Sequence, residues 1–401
     1  MTIARRTTWR AIPRSIWALG FVSMFMDISS EMIHSLFPVY LVSVLGASMV
    51  TVGAIEGIAE ATAMITKVFS GALSDWLGRR KLLTTIGYGM AAFTKPVFPL
   101  ATGIGWFVGA RFVDRIGKGI RGAPRDALVA DITPEHLRGA SFGLRQSLDT
   151  IGAFAGPALV IGLMLLTNNN FKFVFWIAVI PAFVALALMI FGVEEPVKKA
   201  TTGKERRRLQ WSDVTLLSGA FWVVVGIASV FSLGRFSEAF LILKAQNVGL
   251  PIALVPIVMV VMNVIYAMVS YPAGALSDRI GRDGILFAGI CMLVVADVIL
   301  AFAGTVPAVL LGVVFWGLHM GLTQGLLATM VVDTAPEHMR GTAFGIFYLV
   351  SGVAVLLASL IAGGLWDAVG PSMTFLAGAA FTAIALGCLL VVLTFRKPAI
   401  E

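Results

Sequence analysis

Charged residues and cysteines are scarce in this chain of 401 residues. Asp, Glu, Lys and Arg together make up only 13% of the sequence, whereas hydrophobic residues make up 58%. A water-soluble protein of this length could not cover so much apolar surface, so the composition indicates a membrane protein. Both cysteines, Cys291 and Cys388, lie within apolar segments. This placement argues against a disulfide framework and favours packing as small hydrophobic side chains.

The sequence also lacks the patterns of an enzyme or of an ATP-driven pump. Gly117 and Lys118 stand without the glycine pattern of a phosphate-binding loop and lie inside a predicted helix. No convincing set of metal ligands, and no nucleophile with its base, is present. We therefore expect no cofactor, no metal and no enzyme activity. The net charge of +8 does not require a nucleic-acid partner, because its distribution has a membrane explanation.

Two charged motifs each occur twice in the chain. The segment GALSDWLGRRK at 71–81 returns as GALSDRIGRDG at 274–284, and DITPEHLRG at 131–139 returns as DTAPEHMRG at 333–341. Both pairs are separated by roughly 200 residues, about half of the chain, which predicts one unit that has been duplicated. The predicted parts are an N-terminal half at 1–193, a basic linker at 194–212 and a C-terminal half at 213–401.

Twelve segments are long and apolar enough to span a bilayer as helices, among them 82–102 and 104–130. Outside these segments, nineteen Lys and Arg residues fall on one side of the membrane, and Lys172 alone falls on the other. The positive-inside rule then places both termini and the linker in the cytoplasm. We expect a multi-pass protein of the bacterial plasma (inner) membrane, with the basic linker on the surface of the bilayer.

The repeated segment at 71–81 resembles the loop signature between the second and third helices of the major facilitator superfamily of membrane transporters. The resemblance implies an all-α membrane protein with twelve transmembrane helices in two pseudo-symmetric six-helix halves. It also implies alternating access of a small-molecule substrate to a central cavity, and we expect a monomer. The charged turns are predicted to clamp one conformation, with Arg79 in contact with Asp131. The clamp residues are Gly71, Asp75, Gly78, Arg79, Asp131, Asp278, Arg282 and Asp333.

Ionisable residues within the predicted spans fall on single helix faces. Asp27 and Glu31 are four residues apart on the first helix, and Arg111 and Arg115 are four apart on the fourth. Because a charge inside a membrane is costly, each group has to pair or to line water. We predict two layers of acid and base around the cavity, with Asp27 opposite Arg115 or Arg111. The predicted proton-coupling residues are Asp27, Glu31, Glu60, Arg111, Arg115 and Asp149.

Further polar side chains are predicted to line the substrate cavity. They are Glu56, Lys118, Arg145, Arg235, Glu238, Asn263, Tyr266, His319 and Gln324. Arg235 and Glu238, three residues apart, are expected to pair with each other. A lone carboxyl group in a low-dielectric interior favours its protonated form, whereas a nearby arginine favours the ionised form. Asp27 is therefore the expected proton carrier, and Glu31 or Glu60 is the alternative.

Two more segments resemble signatures of the same superfamily. ARFVDRIGKG at 110–119 resembles the fourth-helix signature, in which Arg111 takes the place of an arginine linked to proton coupling. GAFAGP at 152–157 resembles the fifth-helix signature associated with antiporters, although the glycine pair expected after the proline is absent. The second resemblance implies exchange of a substrate for protons.

Substrate and direction stay open between three alternatives. The fifth-helix segment and the aromatic residues of the second half favour proton-coupled export of an amphiphilic or anionic compound. The basic stripe on the fourth helix also fits proton-coupled uptake, by symport, of an anionic metabolite or chelate. The third alternative is a lipid flippase, which would need a lateral opening to the bilayer.

Overall fold

The computed structural model describes residues 11–195, 217–336 and 339–395. Within these ranges the chain forms fifteen α-helices and no β-strand, so the predicted all-α fold class is confirmed. The first eight helices are α1 Arg14–His34, α2 Phe37–Ser43, α3 Met49–Leu77, α4 Arg80–Thr94, α5 Val97–Leu100, α6 Ile104–Ile132, α7 Arg138–Leu166 and α8 Phe171–Gly192. The other seven are α9 Gly219–Gly234, α10 Ala239–Asn247, α11 Ile257–Ile280, α12 Arg282–Phe302, α13 Val306–Thr334, α14 Arg340–Ala368 and α15 Pro371–Phe395.

Three of the predicted spans are each built from two helices with a short break between them. These pairs are α1 with α2, α4 with α5, and α9 with α10. Pro38 lies in the first turn of α2, and Pro96 precedes α5. Proline has no backbone N–H and cannot continue a preceding helix, which explains the first two breaks. The third break follows Gly234. The fifteen helices therefore make up twelve spans.

Ten helical segments of the described chain are long and apolar enough to cross a membrane. The two remaining predicted spans, 82–102 and 104–130, correspond to α4 with α5 and to α6. The helices α4 and α5 are short, at 15 and 4 residues. By contrast, α6 carries eight Asp, Lys and Arg residues within 29. Such a helix can lie in a bilayer only if its charged side chains pair or line water, so α6 is where a polar site is expected.

One compact unit comprises the described residues up to His34 and those from Ile65 to Glu195. In this unit α1 packs against α7 and α8, and α4 packs against α6. A glycine permits the close approach of α1 to α7. A Cβ atom on Gly152 would lie 2.5 Å from the carbonyl oxygen of Met24, a distance that no side chain tolerates. The acidic face of α1 therefore lies directly on α7.

The second compact unit comprises Ser35–Met64 and the described residues from Leu217 onward. Here α12 packs against both α13 and α15, and α11 packs against α13. The Asp367 carboxylate accepts hydrogen bonds from the backbone N–H groups of Met49, at 3.1 Å, and Val50, at 2.9 Å. An acidic side chain at the start of a helix satisfies free N–H groups and complements the helix dipole. Asp367 thus caps α3.

The two compact units reflect packing and differ from the predicted halves at 1–193 and 213–401, because residues 35–64 group with the second unit. The boundaries of the halves stay a prediction. Most of the predicted linker, residues 196–212, lies outside the described part of the chain.

Candidate functional site

Two carboxyl groups meet where α1 lies on α7. The side chain of Asp27 on α1 faces that of Asp149 on α7, within hydrogen-bonding reach. Gly152, three residues beyond Asp149, makes this contact geometrically feasible: the Asp27 Cβ atom is 3.0 Å from the place of a Cβ on Gly152. Two ionised carboxylates this close repel each other, and a single shared proton removes the repulsion. The contact of α1 with α7 thus brings two acidic side chains together.

Two arginines contact one member of the pair. Arg125 Nη1 is 3.8 Å from Asp149 Oδ1, and Arg145 Nη1 is 3.7 Å from the same oxygen. The same two guanidinium groups also reach Asp126 Oδ1, at 3.3 Å from Arg125 Nε and 4.0 Å from Arg145 Nε. Among the described residues, Asp27 forms no ion pair. The environment of the pair is thus asymmetric, with cations on the Asp149 side.

The prediction that Arg115 or Arg111 faces Asp27 is wrong. The cation with the strongest influence on Asp27 is Arg121. Arg115 Nη2 instead lies 3.2 Å from Asp114 Oδ2, its neighbour on α6. The physical reason is packing: α1 lies along α7 and α8 and makes little contact with α6. Helical periodicity predicts which residues form the polar face of α1, but it does not predict which helix packs against that face.

A buried ion cluster surrounds Asp114, a residue that the sequence did not single out. Lys95 Nζ lies 2.9 Å from Asp114 Oδ1 and donates a hydrogen bond of 3.1 Å to Ser30 Oγ. Lys95, Asp114 and Arg115 are each at most 3% exposed. Lys95 follows the last residue of α4 and directly precedes Pro96, at the break between α4 and α5. A lysine directly before a proline within an apolar segment is a signal that could have identified it.

A second polar group lies one helical turn along α1 from Asp27. Glu31 Oε2 is 3.5 Å from His34 Nδ1, and Lys118 and Arg115 are the cations that act on this carboxylate. Arg111 is 2% exposed, whereas Lys118 is exposed. Glu31 also acts electrostatically on Asp27, so this polar group adjoins the Asp27–Asp149 pair.

Arg121 and Arg125 extend the basic face of α6 beyond the predicted site residues. The guanidinium of Arg121 lies 4.8 Å from the centre of the Tyr88 ring, a cation–π distance. Arg125 Nη1 donates a hydrogen bond of 3.3 Å to Ser23 Oγ on α1. Both arginines continue the spacing of three and four residues that starts at Arg111. That spacing is the signal by which a longer site could have been predicted.

The remaining predicted residues are dispersed in the second unit. Glu56 is fully buried on α3, Glu60 on the same helix is half-buried, and Asn263 on α11 is 8% exposed. Tyr266 is half-buried, and Gln324 on α13 is exposed.

The histidine of α13 belongs to an aromatic core. His319 is fully buried, with its ring against Phe231 and Trp316 and its Nδ1 atom 3.2 Å from the carbonyl oxygen of Gly289. Its surroundings are those of a packed residue in the core of the second unit.

The predicted pair of Arg235 with Glu238 is absent. Arg235 forms no ion pair with any side chain that the structure describes. It follows the last residue of α9 and has φ −110° and ψ 69°, so the two residues are not on one continuous helix. The spacing of three residues therefore does not bring their side chains together.

The repeated turns share a backbone feature. Gly78 and Gly281 occupy the same position in the two copies, and their φ angles are +61° and +88°. Only glycine adopts such angles without strain, which explains why both turns carry it. Gly71 lies in α3, before the first turn. A Cβ atom placed on Gly71 would lie 3.4 Å from the Cβ atom of Ala123. Asp75 and Asp278 lie on α3 and α11, with side chains outside the described part of the structure.

The predicted contact of Arg79 with Asp131 is wrong by one residue. Arg80 makes this bridge, with Nη1 2.8 Å from Asp131 Oδ2, and also donates to the carbonyl oxygen of Ala127. Arg79 precedes α4 in a non-helical conformation and is exposed. In the second copy, Arg282 pairs with Asp333. Arg282 is the first residue of α12, just as Arg80 is the first residue of α4.

Twelve helical spans with polar clusters and repeated charged turns define an α-helical membrane transporter. The family model of the Major Facilitator Superfamily matches residues 19–243 and 238–401. The chain belongs to this superfamily. The predicted fold of twelve transmembrane helices in two six-helix halves is thereby confirmed, as is the expectation that the protein is not an enzyme.

The chain is similar to individual proteins of known sequence or structure. The chain is 33% identical to an uncharacterized MFS-type transporter of Methanocaldococcus jannaschii, over 94% of each chain. It is 24% identical to the quinolone resistance protein NorA of Staphylococcus aureus, over 59% of this chain and 60% of that protein. The crystal structure of the nucleoside transporter NupG has a TM-score of 0.78 at 12% identity, covering 94% of this chain and 99% of that one. This last similarity shows the fold alone.

Proposed function

We propose that the protein exports an anionic, amphiphilic organic compound in exchange for protons, and that the Asp27–Asp149 carboxyl pair is the proton-binding site. The observation that carries this proposal is the contact of two carboxyl groups, of which only Asp149 has arginines at ion-pair distance. A group that binds a proton reversibly needs influences that oppose each other. The pair has both: a neighbouring acid that favours protonation and cations that favour ionisation.

The asymmetry of the pair suggests how a proton is exchanged. Arg125 and Arg145 neutralise Asp149, so the proton resides on Asp27, which has no cation at ion-pair distance among the described residues. Release of this proton leaves two facing carboxylates between α1 and α7. Their repulsion favours a rearrangement of the two helices, or a shift of Arg125 from Asp149 towards Asp27. Either change couples the protonation state to the conformation that opens the cavity.

The charge of the first unit supports an anionic substrate. Seven cations between α4 and α7 share the region with five acids on α1, α6 and α7. The cations are Lys95, Arg111, Arg115, Lys118, Arg121, Arg125 and Arg145, and the acids are Asp27, Glu31, Asp114, Asp126 and Asp149. The seven cations outnumber the five acids by two, so this region carries a net positive charge when all of these groups are ionised. Such an excess attracts an anion into a polar cavity.

Export and location have separate support. The similarity to a quinolone resistance protein and the fifth-helix segment at 152–157 both favour outward transport. The basic residues on one side of the predicted spans favour a bacterial plasma membrane protein with both termini in the cytoplasm. A monomer suffices for this mechanism, since the carboxyl pair and its arginines come from one unit of one chain.

Proteoliposomes test the proposal directly. The purified protein is reconstituted with a pH-sensitive dye in the lumen, and labelled organic anions are screened under an imposed pH gradient. We expect protons to move in the direction opposite to the substrate. Protons that move with the substrate would reassign the protein to the uptake alternative, and transport without proton movement would reject coupling altogether.

A further inference from the structure

A second carboxyl group is buried in the second unit, on the helix α12. Asp297 is 0% exposed, and neither of its oxygen atoms has a hydrogen-bond partner among the described residues. The proton site proposed at Asp27 and Asp149 does not involve this residue. A fully buried acid with no partner is rare because its desolvation is not compensated.

The surroundings of Asp297 are helix backbone and aromatic rings. A Cβ atom on Gly378 of α15 would lie 2.8 Å from Asp297 Oδ2 and 2.8 Å from Phe236 Cε1. The carboxyl group therefore fills the space that a side chain on α15 would occupy, next to Phe236. The ring of Phe236 also packs against Trp316 and Phe375, with ring centres 5.5 Å apart in both cases.

No ionisable side chain that the structure describes on the neighbouring helices forms an ion pair with Asp297. The ionisable groups on these elements are Arg282, Asp283 and Cys291 of α12 itself, His319 and Asp333 of α13, Cys388 of α15, Tyr266 and Tyr271 of α11, and Arg235, Glu238 and Lys244 at the α9–α10 break. The side chains of Asp278 and Arg279 on α11 are outside the described part. An ionised carboxylate in such surroundings is strongly disfavoured.

Arg235 is the complementary group in the same region. It directly precedes Phe236, at the break where α9 ends and α10 has yet to begin, and it forms no ion pair within the described residues. Gly234, at this break, packs closely against α15, since a Cβ atom placed on it would lie 2.1 Å from Thr382 Oγ1. Phe236 thus links the two groups: Asp297 lies next to its ring, and Arg235, which acts electrostatically on His319, is its neighbour in the chain.

We propose that Asp297 is a second proton-binding residue, and that it exchanges its proton for contact with Arg235 when the α9–α10 break moves. In the release step the O–H bond of Asp297 breaks, the proton passes to water, and the carboxylate pairs with the Arg235 guanidinium. Rebinding of a proton reverses the exchange. This inference rests on the proposed proton-coupled transport, to which it adds a proton site in the second half.

Infrared spectroscopy of the full-length protein in lipid nanodiscs tests the inference without any substrate, since the probe is the proton. Protonated carboxylic acids have a carbonyl stretch that ionised carboxylates lack. We expect Asp297→Asn to remove one component of this band, whereas Asp283→Asn, at the aqueous end of the same helix, leaves the band intact. An unchanged band in Asp297→Asn would overturn the inference.

Substitutions of Arg235 test its role separately. In Arg235→Gln the Asp297 component should persist to a pH about 1–3 units higher than in the wild type, because the cation that stabilises the carboxylate is gone. Arg235→Lys keeps the charge and should restore most of the wild-type titration. An Asp297 component that titrates identically in all three proteins would reject the exchange.

The test of Asp297 can fail or succeed independently of the test of the proposed function. Asp27→Asn should remove a different component of the band, because its carboxyl group lies in the other unit. If Asp27 proves to have no part in transport while the Asp297 component responds to Arg235 as expected, the first assignment fails and the second stands.

Discussion

The helices α6 and α13 occupy corresponding positions in the two copies of the repeat and have opposite character. Both are 29 residues long, and they lie roughly 200 residues apart. α6 carries eight charged residues, whereas α13 carries only Asp333 near its end. At the position of Asp114 in α6, α13 has the fully buried Trp316. Duplication thus preserved the length and packing of the helix, while its chemistry diverged.

The two copies of the repeat therefore differ in how they fill the space between their helices. The first copy buries charge and compensates for it with close ion pairs, such as those of Asp114 and Asp149. The second copy fills the equivalent space with aromatic rings and leaves Asp297 and Arg235 apart. We therefore place proton coupling and anion attraction mainly on the first copy.

The largest effect on stability is expected where the first copy depends on buried charge. Asp114→Asn leaves Lys95 and Arg115 without their shared carboxylate, in a site where each is at most 3% exposed. Removal of one partner from a buried ion cluster costs about 3–5 kcal/mol. Unfolding in detergent, followed by circular dichroism, measures the loss.

The matched variant is Asp333→Asn, on the corresponding helix of the second copy. Its side chain is 55% exposed, so we expect a loss below about 1 kcal/mol. Equal losses in both variants would mean that the charged and the aromatic helix depend on ion pairs to the same degree, contrary to the comparison.

Much of this contrast could be predicted from the sequence. The repeat, the helices and the polar faces follow from spacing and hydropathy, because these are local properties of the chain. The partner of each charge could not be predicted, since it depends on which helices pack together. Asp27 faces Asp149 because α1 approaches α7 at Gly152, and Lys95 pairs with Asp114 because α4 packs against α6. Arg80 rather than Arg79 reaches Asp131 because Arg80 is the first residue of α4, whereas Arg79 precedes the helix in a non-helical conformation.

A smaller effect is expected from the glycine that positions the carboxyl pair. Gly152→Ala places a Cβ atom 2.5 Å from the backbone of Met24, so α1 must move away from α7. Overpacking of this kind costs about 1–3 kcal/mol, and it should also separate Asp27 from Asp149 and weaken proton coupling. Thermal unfolding and gradient-driven transport measure the two consequences.

Gly143→Ala on the same helix is the control, because a Cβ there has no neighbour within 4 Å. This change should leave transport intact and stabilise the helix by up to about 1 kcal/mol. If Gly152→Ala behaves in the same way as Gly143→Ala, the close approach of α1 and α7 has no part in coupling.

The smallest effect on stability is expected at the repeated turn. Arg80→Ala removes a bridge whose side chains are 25% and 40% exposed, worth about 0–1 kcal/mol. Its effect on the transport rate should be greater, if the bridge holds one conformation. Arg79→Ala, which removes the adjacent and exposed arginine, should change neither property. A slower rate in Arg79→Ala with a normal rate in Arg80→Ala would restore the pairing predicted from the sequence.

The central claim is that the Asp27–Asp149 pair carries the coupled proton. Its most direct test compares Asp27→Asn with Asp126→Asn in proteoliposomes, with a labelled anion that the wild type transports. Asp126 shares Arg125 and Arg145 with Asp149 but lies outside the pair, so its variant controls for a disturbed arginine. We predict that Asp27→Asn abolishes transport driven by a pH gradient while substrate exchange at equal pH survives, and that Asp126→Asn retains both. Full gradient-driven transport by Asp27→Asn would contradict the claim and assign the proton to Glu31 or Glu60.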